Sequence, residues 1–135
     1  MQRIRKPVAS VVHSFKELVV WKRAYELVLE VYSSTGGFPR SEIFGLVGQM
    51  RRAAVSIVSN IAEGYGRGHR GEYVQFLRMA YGSTGELETQ LMLSKDLGYL
   101  SDEKYERGSD LLLEVQKMLG SMLRRFDSES QERQR

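Results

Sequence analysis

The sequence predicts an all-α protein folded as an antiparallel up-down-up-down four-helix bundle. Four stretches carry apolar residues at alternating three- and four-residue spacing, which is the period of a helix that buries one face. The links between them have two to six residues, which favours antiparallel neighbours, and no stretch shows the alternation typical of a strand. With 135 residues, 41% of them hydrophobic, the chain has the size of one globular domain.

The first predicted helix begins at Ser14, which has the spacing of a capping box with Glu17, and it ends at the glycine pair 36–37. Its apolar seam consists of Leu18, Trp21, Tyr25, Val28 and Tyr32. The second begins near residues 39–41, since proline is tolerated in a first helical turn. Its apolar face extends over residues 43–61 and therefore predicts a long helix.

The third predicted helix covers residues 71–97, and Gly98 follows it at the position where a left-handed residue commonly ends a helix. The fourth is capped by Ser101 and keeps heptad spacing over residues 105–126. We therefore predict one bundle domain at residues 14–126. A basic tail precedes it at residues 1–13, and a polar, disordered tail follows it at residues 127–135.

Composition excludes several classes of function. The chain has no cysteine, so disulfides, thiolate nucleophiles and cysteine-based zinc sites are excluded. It has two histidines and no Glu-x-x-His pair, the motif that di-iron bundles require. We therefore expect no metal, no cofactor and no enzymatic activity. No apolar stretch has the length of a signal peptide core or a membrane span, and we expect a cytoplasmic protein without membrane contact.

The most unusual stretch is GYGRGHRGEY at residues 64–73, in which Gly66, Gly68 and Gly71 match the G-x-G-x-x-G pattern of dinucleotide-binding loops. That motif must follow a strand, and here it follows a helix, so we interpret it as a turn. Two further readings stay open. The turn can contact phosphate, because Arg67 and Arg70 flank glycines before a helix N-terminus, or it can be a solvated, flexible loop.

Four quoted segments resemble the four-helix-bundle family of 23S rRNA intervening-sequence proteins. They are FKELVVWKRAYEL, FGLVGQMRRAAVSIVSNIAEGYGRG, EYVQFLRMAYGSTGELETQL and LGYL, and the resemblance as a whole covers residues 15 to about 126. The resemblance implies a small bundle that assembles as a ring-shaped homopentamer. A related branch, the accessory proteins of diversity-generating retroelements, implies binding to nucleic acid and to a reverse transcriptase. His69 departs from the family pattern, which has a serine or threonine that caps the third helix.

Within the family signature, Ser56, Asn60 and Glu63 share one face of the second helix. They can form either a polar site or a hydrogen-bond network between helices or subunits. We favour the network, because buried polar groups need partners and the set lacks a histidine for acid–base chemistry.

Arg51 and Arg52 resemble a nucleic-acid patch, but the hairpin geometry favours a structural role. Folding the second and third helices back to back about residue 69 places positions 51 and 52 level with Glu86 and Glu88. We therefore predict that these two arginines form ion pairs with the two glutamates at the helix interface.

Two features predict self-association. Gly82 and Gly85 interrupt the third helix, which we explain by close approach of another helix within the bundle or across subunits. The apolar residues 19–20 and 111–113 widen the apolar arcs beyond one bundle seam.

Charge is distributed unevenly between the two ends of the predicted bundle. The start of the first helix, the turn between the second and third, and the end of the fourth share one end, which we call the basic pole. Its cations are Arg3, Arg5, Lys6, Lys16, Arg67, Arg70, Arg124 and Arg125, with His13 and His69 nearby, against Glu17, Glu63, Glu72 and Asp127. A ring of copies would multiply this pole into an anion-attracting surface.

These observations give a leading and an alternative function. The leading hypothesis is a non-enzymatic homo-oligomer, with five copies implied by the resemblance, that binds the backbone of RNA or DNA. Its predicted contact residues are Lys16, Arg67, His69, Arg70, Arg124 and Arg125. The alternative is an adaptor whose basic pole docks a protein partner such as a retroelement reverse transcriptase.

Overall fold

The computed structural model describes residues 14–134, and these residues form four long helices without a strand. The helices are α1 at Val19–Thr35, α2 at Gly48–Gly66, α3 at Arg70–Asp96 and α4 at Asp102–Gln134. The predicted all-α fold class is confirmed. The predicted basic tail at residues 1–13 lies outside the described residues, and so does residue 135.

Contacts between the helices give the up-down-up-down order. Between α2 and α3, Met50 contacts Ser94 and Ser56 contacts Ser83, so residue numbers rise along α2 where they fall along α3. From α3 to α4, Glu88 meets Gln116 and Arg78 meets Asp127 in the same descending register. Glu30 and Arg23 of α1 meet Arg107 and Glu114 of α4. Each helix is therefore antiparallel to the neighbours with which these contacts pair it.

The core lies along the bundle axis and is built from the predicted apolar faces of α2, α3 and α4. Its largest fully buried apolar side chains are Leu27, Val31, Met50, Ile57, Ile61, Leu77, Leu87, Leu112, Val115 and Leu119. On α1 the prediction was wrong: the buried face contains Leu27 and Val31, and the predicted seam residues Tyr25 and Tyr32 are exposed.

Thr84 and Ser94 are polar members of the fully buried set on α3. The Thr84 hydroxyl donates to the carbonyl of Tyr81 at 2.6 Å, and the Ser94 hydroxyl donates to the carbonyl of Gln90 at 2.7 Å. A satisfied hydroxyl costs little in a core, so the helix tolerates it.

Both N-terminal helices begin later than predicted. Ser14 caps a short 3₁₀ turn at Phe15–Glu17, where its hydroxyl accepts from the Lys16 amide, and α1 starts at Val19. Before α2, a 3₁₀ turn at Arg40–Glu42 leads into a wide π-helical turn at Ile43–Val47. Short irregular turns of this kind carry apolar residues at nearly helical spacing, so periodicity does not separate them from the helix that follows.

Glu42 holds the π-helical turn in place. One carboxylate oxygen accepts from the amide of Leu46 at 3.1 Å, and the other accepts from the hydroxyl of Tyr99 at 3.1 Å. Gly45 bends the backbone inside the turn, with φ −104° and ψ −112°. As a result Phe44 projects outward and is 95% exposed.

The predicted disordered tail is replaced by helix as far as the structure describes it. Residues 127–134 continue α4 without a break. Asp127 and Glu129 of this extension contact Arg78 and Arg70 at the start of α3. Composition favoured disorder, but these cross-helix ion pairs give the polar segment partners on α3. No described helix is long and apolar enough to cross a membrane.

Candidate nucleic-acid interface

The glycine-rich stretch forms a tight turn between α2 and α3. Gly68 has a left-handed backbone with φ 76°, a conformation that glycine adopts at little cost. His69 is the N-cap of α3, and its side chain makes no capping hydrogen bond. The amides of the first turn of α3 therefore receive no acceptor from the cap side chain, as the departure at His69 predicted. The turn reading of the motif is confirmed, since the described residues contain no strand before it.

Arg67 lies between two carboxylates of its own chain. Its guanidinium is 2.9 Å from the carboxylate of Glu63 and 3.4 Å from that of Glu72. It also stacks over the ring of Phe76, with the guanidinium carbon 5.0 Å from the ring centroid, which is within cation–π range. The side chain predicted to receive phosphate is thus already surrounded by local partners.

Arg70 is engaged in the same way by the end of α4. It forms an ion pair with Glu129, donates to the carbonyl of Phe126 at 3.4 Å and stacks over the Phe126 ring at 4.7 Å. Arg78, about two helical turns further along α3, pairs with Asp127 at 2.9 Å. Arg67 and Arg70, which we predicted as phosphate contacts, are therefore both paired with carboxylates of the same chain.

The other predicted contact residues are differently placed. Lys16, Arg124 and Arg125 are exposed, and the ion pairs found among the described residues include none of them. Lys117, one repeat earlier on α4, is exposed and equally outside those pairs. We call Lys16, Lys117, Arg124 and Arg125 the cation patch.

An apolar groove borders the cation patch. Lys117 and Arg125 line it together with Leu18, Val19, Val20, Met118, Ser121 and Met122, and its volume is about 430 Å³. The start of α1 and the middle of α4, at residues 117–125, form its two walls. Cations beside exposed apolar side chains give this side of the bundle a mixed surface.

Aromatic rings pack under the turn. Tyr65 and Tyr73 meet edge to face at 5.9 Å, and Tyr73 meets Phe126 edge to face at 5.8 Å. Burial raises the pKa of Tyr73, Tyr65 raises that pKa further, and the positive charge of Arg125 opposes the shift. These rings join α2, α3 and α4, which agrees with a structural role for the two tyrosines.

The predicted charges of the basic pole balance among the described residues once the extension of α4 is counted. With Arg133, Glu129 and Glu132 the predicted set has six cations and six carboxylates there. Arg78 and Lys117, which the prediction left out, bring the cations to eight against six. Three predicted cations, Arg3, Arg5 and Lys6, lie outside the described residues.

Apart from Arg133, paired and unpaired cations of the pole are separated. The paired cations are Arg67 in the turn and Arg70 and Arg78 on α3, whereas the cation patch lies on α4 and on the 3₁₀ turn before α1.

The predicted ion pairs of Arg51 and Arg52 with Glu86 and Glu88 are not present. Arg51 faces α1, where its Nε donates to the hydroxyl of Thr35 at 3.0 Å. Glu88 instead accepts from Gln116 Nε2 at 3.0 Å. The predicted position along the helix axes was correct for Arg52 and Glu86, because both line one depression between α2 and α3. The error is rotational, because adjacent helical residues point about 100° apart and cannot both face α3.

The polar face of α2 forms the predicted hydrogen-bond network in part. The hydroxyls of Ser56 and Ser83 are 2.9 Å apart and join α2 to α3. Asn60 Nδ2 donates to the carbonyl and to the hydroxyl of Ser56, at 2.8 and 3.0 Å. Glu63 does not belong to this network and pairs with Arg67.

Gly82 and Gly85 are not close to another helix of the same chain. A Cβ atom added at either position would meet nothing within 4 Å. The close approach within the bundle that we expected is found elsewhere, at Gly64, where an added Cβ would stand 2.6 Å from the Cβ of Phe76. Sequence reasoning missed this glycine because it interpreted the residue as part of the turn.

Sequence reasoning also missed four residues of the interface: Arg78, Lys117, Glu129 and Arg133. Once the α4 helix is extended past Phe126, the descending register of α3 against α4 places Glu129 level with Arg70. The available signal was therefore this register.

The described residues contain no cluster of three histidine, cysteine, aspartate or glutamate side chains arranged to hold a metal ion.

The fold and the site define a small all-helical bundle protein with a charged pole. A family model described as 23S rRNA-intervening sequence protein matches residues 16–121, and the chain belongs to this family. Among solved structures it is similar to a protein of unknown function from the S23 ribosomal protein family of Bacteroides thetaiotaomicron. That likeness has a TM-score of 0.72 and 24% identity, and it covers 78% of this chain and 96% of the other. No curated protein matches the chain.

Proposed function

We propose that the protein is a non-enzymatic, homo-oligomeric nucleic-acid-binding protein that contacts the backbone of RNA or DNA through the cation patch. The observation that carries the proposal is the separation of charges at the basic pole. Arg67 and Arg70 are occupied by carboxylates, whereas Lys16, Lys117, Arg124 and Arg125 are exposed and outside the ion pairs of the described residues.

Exposed, unpaired arginines and lysines suit a phosphate backbone. They lose no internal partner on binding, and each phosphate they neutralise releases condensed counterion. Flexible exposed side chains hold phosphates without reading base edges, so this surface favours binding with little sequence selectivity.

Self-association is part of the proposal. Tyr25, Leu29 and Tyr32 form an exposed apolar stripe on α1, and Met92 and Leu93 are exposed on α3. Together with the open glycines of α3, these side chains offer surface for a second copy. Five copies, the number that the resemblance implies, would repeat the cation patch around a ring. Light scattering after gel filtration should then give a mass about five times 15.5 kDa, and a monomeric mass contradicts this part.

Two double variants with the same charge change test the nucleic-acid contact. Arg124→Gln with Arg125→Gln removes two cations of the patch. Arg40→Gln with Lys104→Gln removes two cations from the opposite end of the bundle. Binding of a short single-stranded RNA and of a DNA duplex is measured by fluorescence anisotropy over a salt series.

The patch variant should weaken binding and flatten the salt dependence by about 0.7 per lost phosphate contact on single strands and about 0.9 on duplex DNA. The control variant should change both quantities much less. Equal effects of the two variants would contradict the cation patch, and absence of RNA and DNA binding at low salt would contradict the function.

The apolar groove beside the patch favours the second candidate function, an adaptor. Val19 and Met122 line a groove with Lys117 and Arg125, a combination that fits an acidic amphipathic segment of a protein partner. The resemblance names a retroelement reverse transcriptase as such a partner. If that enzyme is encoded beside this gene, it should copurify with the wild-type protein and not with Met122→Glu of the same oligomeric mass.

A further inference from the structure

A second groove lies at the basic pole, between the start of α3 and the helical extension of α4. Its volume is about 460 Å³. The residues of α3 that line it are His69, Arg70, Gly71, Val74 and Arg78, and those of α4 are Phe126, Asp127, Ser130 and Arg133. We call it the α3–α4 groove. Its lining contains three arginines and one carboxylate, Asp127.

Carboxylates of the same chain already contact two of these arginines. Asp127 lies 2.9 Å from Arg78, and Glu129 pairs with Arg70. Arg133 is the third cation, and the ion pairs found among the described residues do not include it. The carboxylate oxygens thus stand where the oxygens of another anion would bind.

These ion pairs are exposed enough to be exchanged. The side chains of Arg78 and Asp127 are 57% and 55% exposed, and those of Arg70 and Glu129 are 31% and 46% exposed. Exposed ion pairs contribute little to stability, because water competes with them and salt screens them. A phosphate that reaches the groove therefore displaces its internal competitors at small cost.

The groove also offers phosphate more than it offers a carboxylate. A phosphate presents more oxygens than a carboxylate does. Each guanidinium group can donate two parallel N–H bonds to a pair of those oxygens. The first turn of α3 lies at the same place, and its N-cap, His69, supplies no side-chain acceptor to the amides that follow. The arginines carry the argument, and the helix start adds donors to them.

We propose that the α3–α4 groove binds a phosphate group of a nucleic-acid backbone and that Asp127 and Glu129 occupy its arginines until phosphate displaces them. The extension of α4 is then an internal competitor that weakens binding at this pole. The inference rests on the proposed function for the identity of the ligand, but the groove and its carboxylates are independent of the cation patch.

The test compares two variants that each remove two negative charges. Asp127→Asn with Glu129→Gln removes the competitors and keeps side-chain volume. Glu106→Gln with Asp110→Asn makes the same charge change on exposed residues of α4, about 25 Å or more from the groove by the helical rise. Circular dichroism and light scattering first establish that both keep the wild-type helicity and mass.

Two probes are used: a fluorescein-labelled short single-stranded RNA, and inorganic phosphate followed through the Nε–H resonances of Arg70 and Arg78. The competitor variant should bind the RNA more tightly than the control variant, by up to about twenty-five-fold, since each of the two exposed pairs broken on binding accounts for up to about a factor of five. Phosphate should shift the two arginine resonances at lower concentration than in the control variant.

The outcomes separate the inference from the function. RNA binding with no difference between the two variants, in affinity and in the phosphate titration, overturns the groove and leaves the function standing. No RNA binding by any variant, with phosphate shifting Arg70 and Arg78 more readily in the competitor variant, overturns the function and keeps the groove as an anion site. Failure of both probes overturns both.

Discussion

The close packing of α3 against Gly64 of α2 gives a sharp prediction about stability. An alanine there would place its Cβ 2.6 Å from the Cβ of Phe76 and 3.2 Å from a ring carbon of Tyr73. Carbon atoms in contact are normally about 3.5 to 4.0 Å apart, so the two helices would have to separate by about 1 Å. The Cβ of Phe76 is bonded directly to the backbone and cannot rotate away.

The expected size of the effect follows from two opposing terms. Overpacking a well-packed contact costs about 1 to 3 kcal/mol. Replacing glycine by alanine in a helix returns at most about 1 kcal/mol, and less near the helix end where Gly64 lies. We therefore expect Gly64→Ala to lower the free energy of unfolding by about 1 to 2 kcal/mol.

Gly82→Ala is the matched control, because an added Cβ there meets no atom within 4 Å. It should raise the free energy of unfolding by up to about 1 kcal/mol through helix propensity alone. Urea unfolding followed by circular dichroism, at several protein concentrations, measures both. If Gly64→Ala is as stable as the wild type, the close packing of α2 on α3 is refuted. If Gly82→Ala is less stable and loses mass, Gly82 lies at a contact between copies.

Three further predictions concern side chains of the bundle. Arg51→Ala should lower the free energy of unfolding by about 1 to 2 kcal/mol because it leaves acceptors on α1 unpaired, whereas Arg52→Ala should change it by less than about 0.5 kcal/mol. Ser56→Ala and Ser83→Ala should each be destabilising, and the double variant should cost less than their sum because the two hydroxyls are partners. The raised pKa of Tyr73 means that the folded state keeps its proton longer, so stability should fall as pH rises above about 10, and Tyr73→Phe should reduce this loss. Urea unfolding measures all three, the last as a function of pH.

The helices could be predicted because each one buries a face along most of its length. Residues such as Ile57, Leu87 and Leu112 are fully buried at the positions that the apolar spacing indicates. The seam predicted for α1 was wrong, because α1 buries Leu27 and Val31 instead of Tyr25 and Tyr32. The exceptions are local. The π-helical turn before α2 depends on Glu42 reaching Tyr99, a residue far away in sequence, and periodicity contains no information on that contact.

The candidate site was harder to predict than the fold. The partner of a charged side chain depends on the direction in which the side chain points around the helix as well as on its position along the helix axis. The hairpin rule placed Arg52 level with Glu86 correctly, and both line one depression. It could not show that Arg51 turns toward α1 or that Arg70 reaches α4. Because residues 127–134 were predicted to be disordered, Glu129 was not considered as a partner. Arg70 was therefore expected to have no carboxylate beside it, whereas Glu129 pairs with it.

The internal carboxylates bear on the nucleic-acid binding that we propose for this pole. A single chain offers a cation patch beside arginines that its own helix end neutralises, so we expect its attraction for a backbone to be modest. In the proposed oligomer, repetition would place several such patches within reach of one strand, where the later contacts would become intramolecular and raise the overall affinity. The same repetition would multiply the carboxylates of Glu129 and its neighbours, which would repel the backbone wherever phosphate has not displaced them. Assembly and displacement would then act on the same charges, and the salt dependence of binding would report their balance.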